Sequence, residues 1–330
     1  MTAVRGAGRL PDAEFNRLID EAIGRVNLSD VIRPYTVLKP RGRELVGLCP
    51  FHDERSPSFE VNDAKGTYHC FGCSKAGNAL IFLMERTGLS FRDAFEALMG
   101  DKFPPVSEED RARRKAEDAA QRAEAIADAK RLWNTTRPVL GTPGETYVRA
   151  RGITATLPAS IRFGHVPLSR DDDGNWREPM PALVGAITMG TDLVAIQRIF
   201  LRNDGSDKRW PKPRRSKFSL GRVKGGALRL DHGRAGSEVI ITEGPEDGLT
   251  LMQEMPGARV WVALGTDLMP SIEFPPDVDS ILIAGQNDKA GRGAVERAGE
   301  ALLARGYSVR DTYPDPAFKD WNDQLRGIRL

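Results

Sequence analysis

The sequence is poor in cysteine and histidine, lacks long apolar runs and carries almost no net charge. Its 330 residues include three cysteines, too few for a disulfide framework, so we expect a protein of the reducing cytoplasm. The longest apolar runs, such as 280–285, suit strands and cannot span a bilayer, and we expect no signal peptide at the N-terminus. A formal net charge of +2 excludes a polycationic protein, so any nucleic-acid interface must be local.

The length of the chain suggests two or three domains, and the sequence itself separates into four regions of different composition. Residues 1–104 place the cysteines between two amphipathic helical segments, and residues 105–135 predict one exposed, mixed-charge helix that links domains. The alternative for this helix is a solvated face of the following domain. Residues 136–234 contain short strands, whereas residues 235–330 alternate strand and helix, which predicts a mainly parallel sheet.

All three cysteines fall beside a histidine in one 25-residue stretch. Cys49 and His52 form one pair with two residues between them, and Cys70 and Cys73 form a second pair. Each pair can direct two ligands at one ion from a tight turn, and two pairs complete a tetrahedron. The spacing therefore predicts one structural zinc. His69 is the rival ligand, but its place directly before Cys70 should point it away from the ion.

The residues around the cluster resemble a known family. The segments "CPFH", "SPSF" and "YHCFGC" and the helix that follows them closely resemble the zinc-binding domain of bacterial and phage DnaG-type primases. The resemblance implies a small ribbon whose sheet contacts single-stranded template DNA. Aromatic faces can stack on bases and cations can follow phosphates, and the expected contact residues are Lys65, Tyr68, Phe71 and Lys75. Core packing is the alternative for each aromatic, most strongly for Phe51 and Phe59, and Gly72 and Gly77 suit the unusual backbone angles of a knuckle.

Acidic residues follow the strands of the last part. Glu243 comes directly after a strand, with Gly244 allowing a sharp turn, and Asp247 lies near the start of the next helix. Ligands bind outside the carboxyl ends of parallel strands, and carboxylates there suit Mg²⁺. A helix cap or a turn is the alternative role for each acid. The further candidates are Asp288, Asp320 and Asp323.

Three acidic segments, "TEGPEDGL", "IAGQNDKAG" and "KDWND", resemble the motifs of the Toprim domain of DnaG-type primases, topoisomerases and some nucleases. The resemblance spans most of residues 30–326 and is greatest to short zinc-plus-Toprim primase-like proteins of phages, plasmids and integrated elements. It implies catalytic roles for Glu243, Asp247, Asp288 and Asp320. It also implies a Mg²⁺ or Mn²⁺ site formed by Glu243, Gln286, Asp288, Asp320 and Asp323. Gln286 replaces the first aspartate of the paired motif, so the site is weakened, rebuilt or inactive.

A basic segment, residues 207–226, precedes the Toprim-like part. Its prolines at 211 and 213 exclude a helix, so a loop or an edge strand is predicted. Cations interleaved with aromatics suit phosphate contacts and base stacking, and a solvated surface run is the alternative. The predicted nucleic-acid contacts are Arg209, Trp210, Lys212, Arg214, Arg215 and Lys217.

Together these features predict an α+β multidomain fold: a small zinc-ribbon domain, a helical linker, and a primase-like core that ends in an α/β Toprim domain. The resemblance implies a DNA primase that uses NTPs on single-stranded DNA in phage, plasmid or chromosomal replication, with a separate helicase as a further partner. The first alternative is a DNA-binding replication factor that has lost its metal chemistry, which Gln286 favours. A Toprim nuclease is the second alternative, but it gives no reason for the zinc ribbon.

Overall fold

The structure is a computed structural model that describes residues 12–42, 44–100, 103, 107–171, 173–211, 214–231 and 236–330. These residues form two compact units, which divide between Ala120 and Gln121. Within the described ranges, no helix combines the length and the apolar character that a membrane crossing needs. The four-part division drawn from the sequence remains a prediction.

The first unit contains a small antiparallel sheet, which has the order β1-β2-β3-β4-β5 in the part of the chain that the structure describes. Its strands are β1 (Lys39–Arg41), β2 (Glu44–Gly47), β3 (Phe59–Asn62), β4 (Thr67–Cys70) and β5 (Ala76–Gly77). Its helices are α1 (Asp12–Arg25), α2 (Leu28–Ile32), α3 (Ala79–Thr87) and α4 (Phe91–Met99). Gly88 ends α3 in the left-handed region with φ of 71° and so separates α3 from α4.

Alternation along β4 separates the two faces of this sheet. Tyr68 and Cys70 point into the core, and their register partners Val61 and Phe59 on β3 are also buried. The rings of Phe59 and Tyr68 stack with centroids 5.2 Å apart. His69 lies on the opposite face, because successive strand residues point to opposite sides.

A long helix, α5 (Glu108–Asn134), follows the first sheet. Ser107 caps its start, and the Ser107 hydroxyl accepts a hydrogen bond from the backbone N–H of Asp110 at 3.0 Å. The helix is not exposed along its whole length, because Ala129 and Leu132 are buried in the core of the second unit. Its C-terminal turns therefore belong to that core, as the alternative interpretation anticipates.

The second unit contains one large sheet, whose described strands have the order β10-β9-β8-β11-β13-β12-β14-β15, with β7 pairing β8 and β6 pairing β7. Its first strands are β6 (Arg137–Pro138), β7 (Ile161–Val166), β8 (Met180–Met189), β9 (Asp192–Phe200), β10 (Lys217–Gly221) and β11 (Ala227–Arg229). Its later strands are β12 (Glu238–Thr242), β13 (Val260–Val262), β14 (Ser280–Ala284) and β15 (Ser308–Thr312). Its helices are α6 (Pro143–Ala150), α7 (Pro245–Glu254), α8 (Lys289–Ala304) and α9 (Trp321–Arg326), with a 3-10 helix at Thr266–Ser271.

The sheet changes from antiparallel to parallel along its width. Strands β13, β12, β14 and β15 pair in parallel, which confirms the mainly parallel sheet predicted for the Toprim-like part. Strand β11 pairs antiparallel with both β8 and β13, so the two halves form one continuous sheet. The register places Thr242 opposite Ala284, so the residues after β12 and β14 emerge at the same edge.

Candidate metal centre and acidic cavity

The four predicted zinc ligands lie together in the first unit. One ligand atom from each of Cys49, His52, Cys70 and Cys73 lies within 4.8 Å of the others. The Cys49 and Cys73 sulfurs are 3.8 Å apart, and the Cys70 sulfur is 3.8 Å from Nδ1 of His52. Three sulfurs and one imidazole nitrogen are a donor set that Zn²⁺ takes in tetrahedral structural sites.

Glu54 supports two of these ligands, and the sequence interpretation missed it. Its Oε2 lies 3.4 Å from Nε2 of His52, which leaves Nδ1 toward the cysteines. Its Oε1 accepts hydrogen bonds from the backbone N–H groups of Cys49 at 2.7 Å and Ser58 at 3.1 Å. The signal available in the sequence was an acid two residues after the ligand histidine.

The second knuckle needs a glycine for space and not for its backbone angles. A side chain at Gly72 would meet Nε2 of His52 at 2.6 Å, so this position accommodates only a hydrogen atom. The left-handed residue of the turn is Ser74, with φ of 61°, which corrects the expectation that Gly72 and Gly77 supply the unusual angles.

Hydrogen bonds favour the thiolate form of Cys70. Burial opposes ionisation, but the Ser58 hydroxyl and the backbone N–H groups of Cys73 and Gly72 lower the pKa of Cys70 to about 7. Burial raises the pKa of Cys49 to about 12. The donor set, the space at Gly72 and the N–H···S contacts of Cys70 all fit a bound Zn²⁺.

The structure separates the four residues predicted to contact DNA in the first unit. Tyr68 is 2% exposed and packs among the core rings, so its ring cannot stack on a base, and the prediction for Tyr68 is corrected. Phe71 is 56% exposed, and the His69 ring meets it edge-on with centroids 4.5 Å apart. Lys65 is exposed, whereas the Lys75 ammonium pairs with Glu85 at 2.6 Å.

In the second unit, four of the five predicted acidic residues line one cavity of about 400 Å³ at the carboxyl edge of the parallel strands. Its acidic wall contains Glu243, Glu246, Asp247, Asp320 and Asp323, with Gln286 beside them. Its basic wall contains Arg151, Lys208, Lys217, Lys319 and Arg326. Asp288 is one of the residues that the structure describes, but it does not line this cavity.

Asp247 is the most enclosed of these acids, at 4% exposed. Its Oδ2 accepts a hydrogen bond from the Gln286 amide at 2.9 Å, and its Oδ1 accepts one from the backbone N–H of Asn322 at 3.1 Å. Burial and the nearby Asp320 charge raise the pKa of Asp247 to about 7, despite these hydrogen bonds. Gln286 therefore acts here as a donor to a buried carboxylate.

Asp288 and Asp320 are both helix N-caps, which is the role that the alternative interpretation gave them. Asp288 Oδ1 accepts from the backbone N–H of Gly291 at 2.7 Å and starts α8, while its Oδ2 lies 3.4 Å from the Lys319 ammonium. Asp320 Oδ1 accepts from the backbone N–H of Asp323 at 2.8 Å and starts α9. Capping fixes these carboxylates in place and occupies one oxygen of each.

Glu243 follows β12 directly, as predicted, and is only partly exposed. Burial and the Asp288 charge raise the pKa of Glu243, although Lys217 and Lys319 oppose that shift. Gly244 is extended, with φ of −108°, so no sharp turn depends on it. The glycine that the fold requires is Gly248, where a side chain would meet Val262 at 2.5 Å and push α7 off the sheet.

The basic segment contributes to the cavity through a carboxylate that the sequence interpretation did not select. Glu246 Oε1 lies 2.9 Å from the Lys208 ammonium, and its Oε2 lies 2.6 Å from the Lys217 ammonium. The Tyr147 hydroxyl donates to Glu246 Oε1 at 2.7 Å. Burial would raise the pKa of Glu246, but Lys217 and Lys208 outweigh it and hold this pKa well below its usual range.

The other predicted contacts of the basic segment divide by exposure. Arg214 and Arg215 are exposed, and the Arg214 guanidinium lies 4.4 Å from the Trp210 ring centroid. Trp210 and Arg209 are half-buried, and Trp210 packs against the core. Lys212 lies outside the described residues. Strand β10 is an edge strand of the described sheet, as the sequence predicts.

The two candidate metal sites differ in how closely their ligands approach. Across the described ranges, the cysteine–histidine cluster is the one group in which three or more histidine, cysteine or carboxylate ligand atoms lie within 4.8 Å of one another. The acids of the cavity therefore do not form a closed cage. An open arrangement fits Mg²⁺, which keeps several waters and binds through one or two carboxylates plus substrate phosphates.

Three family models match successive parts of the chain. The CHC2 zinc finger matches residues 15–113, a domain of unknown function (DUF7146) matches residues 123–230, and the Toprim domain matches residues 238–327. These matches cover both the cysteine–histidine cluster and the acidic segments. They confirm the zinc-ribbon and Toprim parts of the predicted fold.

Curated relatives of this chain are DNA primases. The DNA primase of Listeria monocytogenes is 27% identical over 365 residues, covering 96% of this chain and 56% of the relative. The DNA primase of Lactococcus lactis is 35% identical over 156 residues, covering 47% of this chain and 24% of the relative. The chain thus spans about half of one relative's length and about a quarter of the other's.

A solved structure is also similar. The Aquifex aeolicus primase, with its zinc-binding and RNA polymerase domains, is 21% identical and has a TM-score of 0.47, covering 94% of this chain and 82% of that structure. With its zinc-finger and Toprim matches and its primase relatives, the chain is a homologue of the DnaG-type DNA primases.

Proposed function

We propose that this protein is a DNA primase, a nucleotidyltransferase that synthesises short primers on single-stranded DNA. The observation that carries the proposal is the cavity in which Glu243 and Asp247 face Lys208 and Lys217 of the basic segment. Acids that can hold a divalent cation and lysines that can hold phosphates share one space there. Its setting is the replication of a phage, a plasmid or a chromosome.

In the proposed reaction, the 3′-hydroxyl of the growing strand attacks the α-phosphate of an incoming NTP. A phosphorus–oxygen bond forms, the bond to the pyrophosphate breaks, and the hydroxyl proton passes to a base. Mg²⁺ or Mn²⁺, held by Glu243, Asp320 and Asp323 with Gln286 and Asp288 nearby, would neutralise the triphosphate and polarise the attacked phosphorus. Lys208, Lys217 and Lys319 orient the phosphates.

The first unit binds the template in this proposal. Phe71, supported by His69, offers an exposed ring on which a base can stack, and Lys65 offers a cation to the phosphates. Zn²⁺ bound to the cysteine–histidine cluster holds this surface in shape without taking part in the reaction. Single-stranded DNA, NTPs and a separate helicase are the proposed partners.

One observation favours a second candidate, a DNA-binding replication factor without catalysis. The Gln286 amide donates to Asp247, so the cavity has one carboxylate fewer than the family motif and a hydrogen bond in its place. A site with fewer charged oxygen ligands binds divalent cations more weakly.

A primer-synthesis assay separates the candidates. Purified protein is incubated with single-stranded templates of defined sequence, labelled NTPs, and Mg²⁺ or Mn²⁺, beside the variants Glu243→Ala and Glu238→Ala. Glu238 is the matched control, because it lies at the opposite end of the same strand β12. We expect primers from the wild type and Glu238→Ala and none from Glu243→Ala. Synthesis that survives Glu243→Ala would place the chemistry elsewhere, and template binding without primers would favour the second candidate.

A further inference from the structure

We propose that Glu246 is a positioning residue that holds the ammonium groups of Lys208 and Lys217 at the cavity wall, ready to bind phosphate. This inference deepens the proposed function and rests on it for the identity of the substrate. Glu246 is not one of the acids that the sequence pattern selects as metal ligands or catalytic residues.

The contacts of Glu246 are short and come from three other segments. Lys208 lies in the loop between β9 and β10, Lys217 is the first residue of β10, and Tyr147 lies in α6. Their polar atoms lie 2.9, 2.6 and 2.7 Å from the Glu246 carboxylate oxygens. Glu246 therefore joins the basic segment, which supplies both lysines, to Tyr147 of α6, which lies far away in the sequence.

The charges in this group do not cancel. One carboxylate faces two ammonium groups, so the group keeps an excess of one positive charge beside the acids of the cavity. The Glu246 side chain is 12% exposed, and a carboxylate that is nearly buried costs free energy unless it is paired and hydrogen-bonded. The ion pairs with the two lysines offset this free energy, and they also fix the positions of the two ammonium groups.

Each ammonium also keeps donors for a ligand. A lysine has three N–H donors, and Glu246 accepts from one atom of each lysine, so further donors can point into the cavity. Both lysines line the same cavity as Glu243 and Asp320. The ligand class that such a pair fits is a phosphate oxyanion, either the triphosphate of an NTP or the backbone of a nucleic-acid strand.

Without the Glu246 charge, the two ammonium groups would repel each other and move freely. A ligand would then have to order two long side chains on binding, which we expect to weaken its binding roughly tenfold. The added net positive charge acts in the opposite direction. Whether phosphate binding becomes weaker or stronger when the Glu246 charge is removed therefore distinguishes positioning of the lysines from simple neutralisation of their charge.

The test measures lysine methylation by formaldehyde and cyanoborohydride, read peptide by peptide by mass spectrometry. It compares the wild type, Glu246→Gln, Glu246→Asp and the matched control Glu238→Gln, which removes a carboxylate paired with Arg310 at the far end of β12. Each protein is labelled alone, with increasing ATP and Mg²⁺, and with increasing single-stranded oligonucleotide. The two ligand arms show which source of phosphate protects the lysines.

We expect faster methylation of Lys208 and Lys217 in Glu246→Gln, with other lysines unchanged, and about tenfold more ligand needed for half-protection. Glu246→Asp keeps the charge and should fall between the two, and Glu238→Gln should match the wild type. Unchanged methylation, or half-protection at the same or a lower ligand concentration, would overturn the proposal. This readout needs no primer synthesis, so a wild type that protects its lysines without making primers would refute the proposed function and leave this inference standing.

Discussion

The zinc cluster and the acidic cavity are built in opposite ways. The cluster takes its four ligands from 25 residues of sequence, and local hydrogen bonds bring every ligand atom within 4.8 Å. The cavity takes its charged groups from segments between residues 151 and 326, and helix caps, ion pairs and hydrogen bonds fix several of them separately. The cluster presents four ligand atoms to one ion in a closed arrangement. The cavity is open, and acidic and basic side chains both line it.

This difference indicates how each site is related to the stability of the fold around it. In the cluster, the ligands support the fold, because a small unit with a short sheet gains much of its stability from the metal. In the cavity, the large sheet supports the ligands, so single changes there should affect binding and catalysis more than folding. Substitutions at both sites and on the surfaces beside them test that contrast.

The largest expected effect is on the cluster. Cys70→Ser should abolish zinc binding and unfold residues 45–80, because structural zinc contributes about 10–16 kcal/mol to domains of this kind. Elemental analysis and hydrogen exchange of the purified proteins measure both consequences. His69→Asn is the matched control, since it changes the neighbouring residue on the other face of β4 and should keep one zinc. One equivalent of tightly held zinc in Cys70→Ser would contradict the ligand assignment.

The next effect separates two aromatic residues of the same ribbon. Tyr68→Ala should lower the free energy of unfolding by about 3–5 kcal/mol, because it leaves a cavity among the core rings. Phe71→Ala should leave folding unchanged and weaken single-stranded DNA binding by about 1–3 kcal/mol, the value of one stacked base. Chemical denaturation and equilibrium DNA binding measure the two quantities. Normal DNA affinity in Phe71→Ala would remove the proposed template surface from this face.

A smaller effect is expected at Gln286. Gln286→Asp places a second carboxylate against the buried Asp247, so without divalent cations we expect about 1–3 kcal/mol lower stability, because a hydrogen bond is removed and like charges repel. Added Mg²⁺ should reverse this change, because the variant regains the charge of the family motif. Thermal unfolding with and without Mg²⁺ measures the loss of stability and its reversal. Equal Mg²⁺ stabilisation of wild type and Gln286→Asp would show that residue 286 is not near the cation.

The smallest effect concerns the exposed arginines of the basic segment. Reversing the charge of Arg214 and Arg215 together should weaken single-stranded DNA binding and reduce the log–log salt slope by roughly 0.7 for each phosphate that the protein no longer neutralises. Reversing Arg137 and Arg177, exposed arginines elsewhere in the second unit, provides the matched control. A slope that falls equally in both double variants would mean that net charge, and not this segment, governs binding.

The sequence predicted the groups whose chemistry is local and missed those that depend on distant contacts. Two x2 ligand pairs identify the zinc cluster because a knuckle is a short-range structure, and strand ends identify Glu243 because strand and helix alternate there. Glu246 could not be selected, since its meaning depends on Lys208 and Lys217, which only the folded sheet brings near. Tyr68 was misassigned because the aromatic pattern does not state which face of β4 is the core.

Strand β11 has a consequence for protein engineering. Its three residues join the antiparallel strands to the parallel strands. One continuous hydrogen-bonded sheet therefore positions both the lysines of the basic segment and the acids after β12. Consider a chimera in which only the Toprim segment is exchanged, with the junction near residue 235. It would have to reproduce the pairing of Leu228 with Val262 before the lysines and the acids could face each other in the cavity. An exchange that keeps the sheet intact should therefore move strands β6 to β15 together, because both halves of the sheet lie in one compact unit.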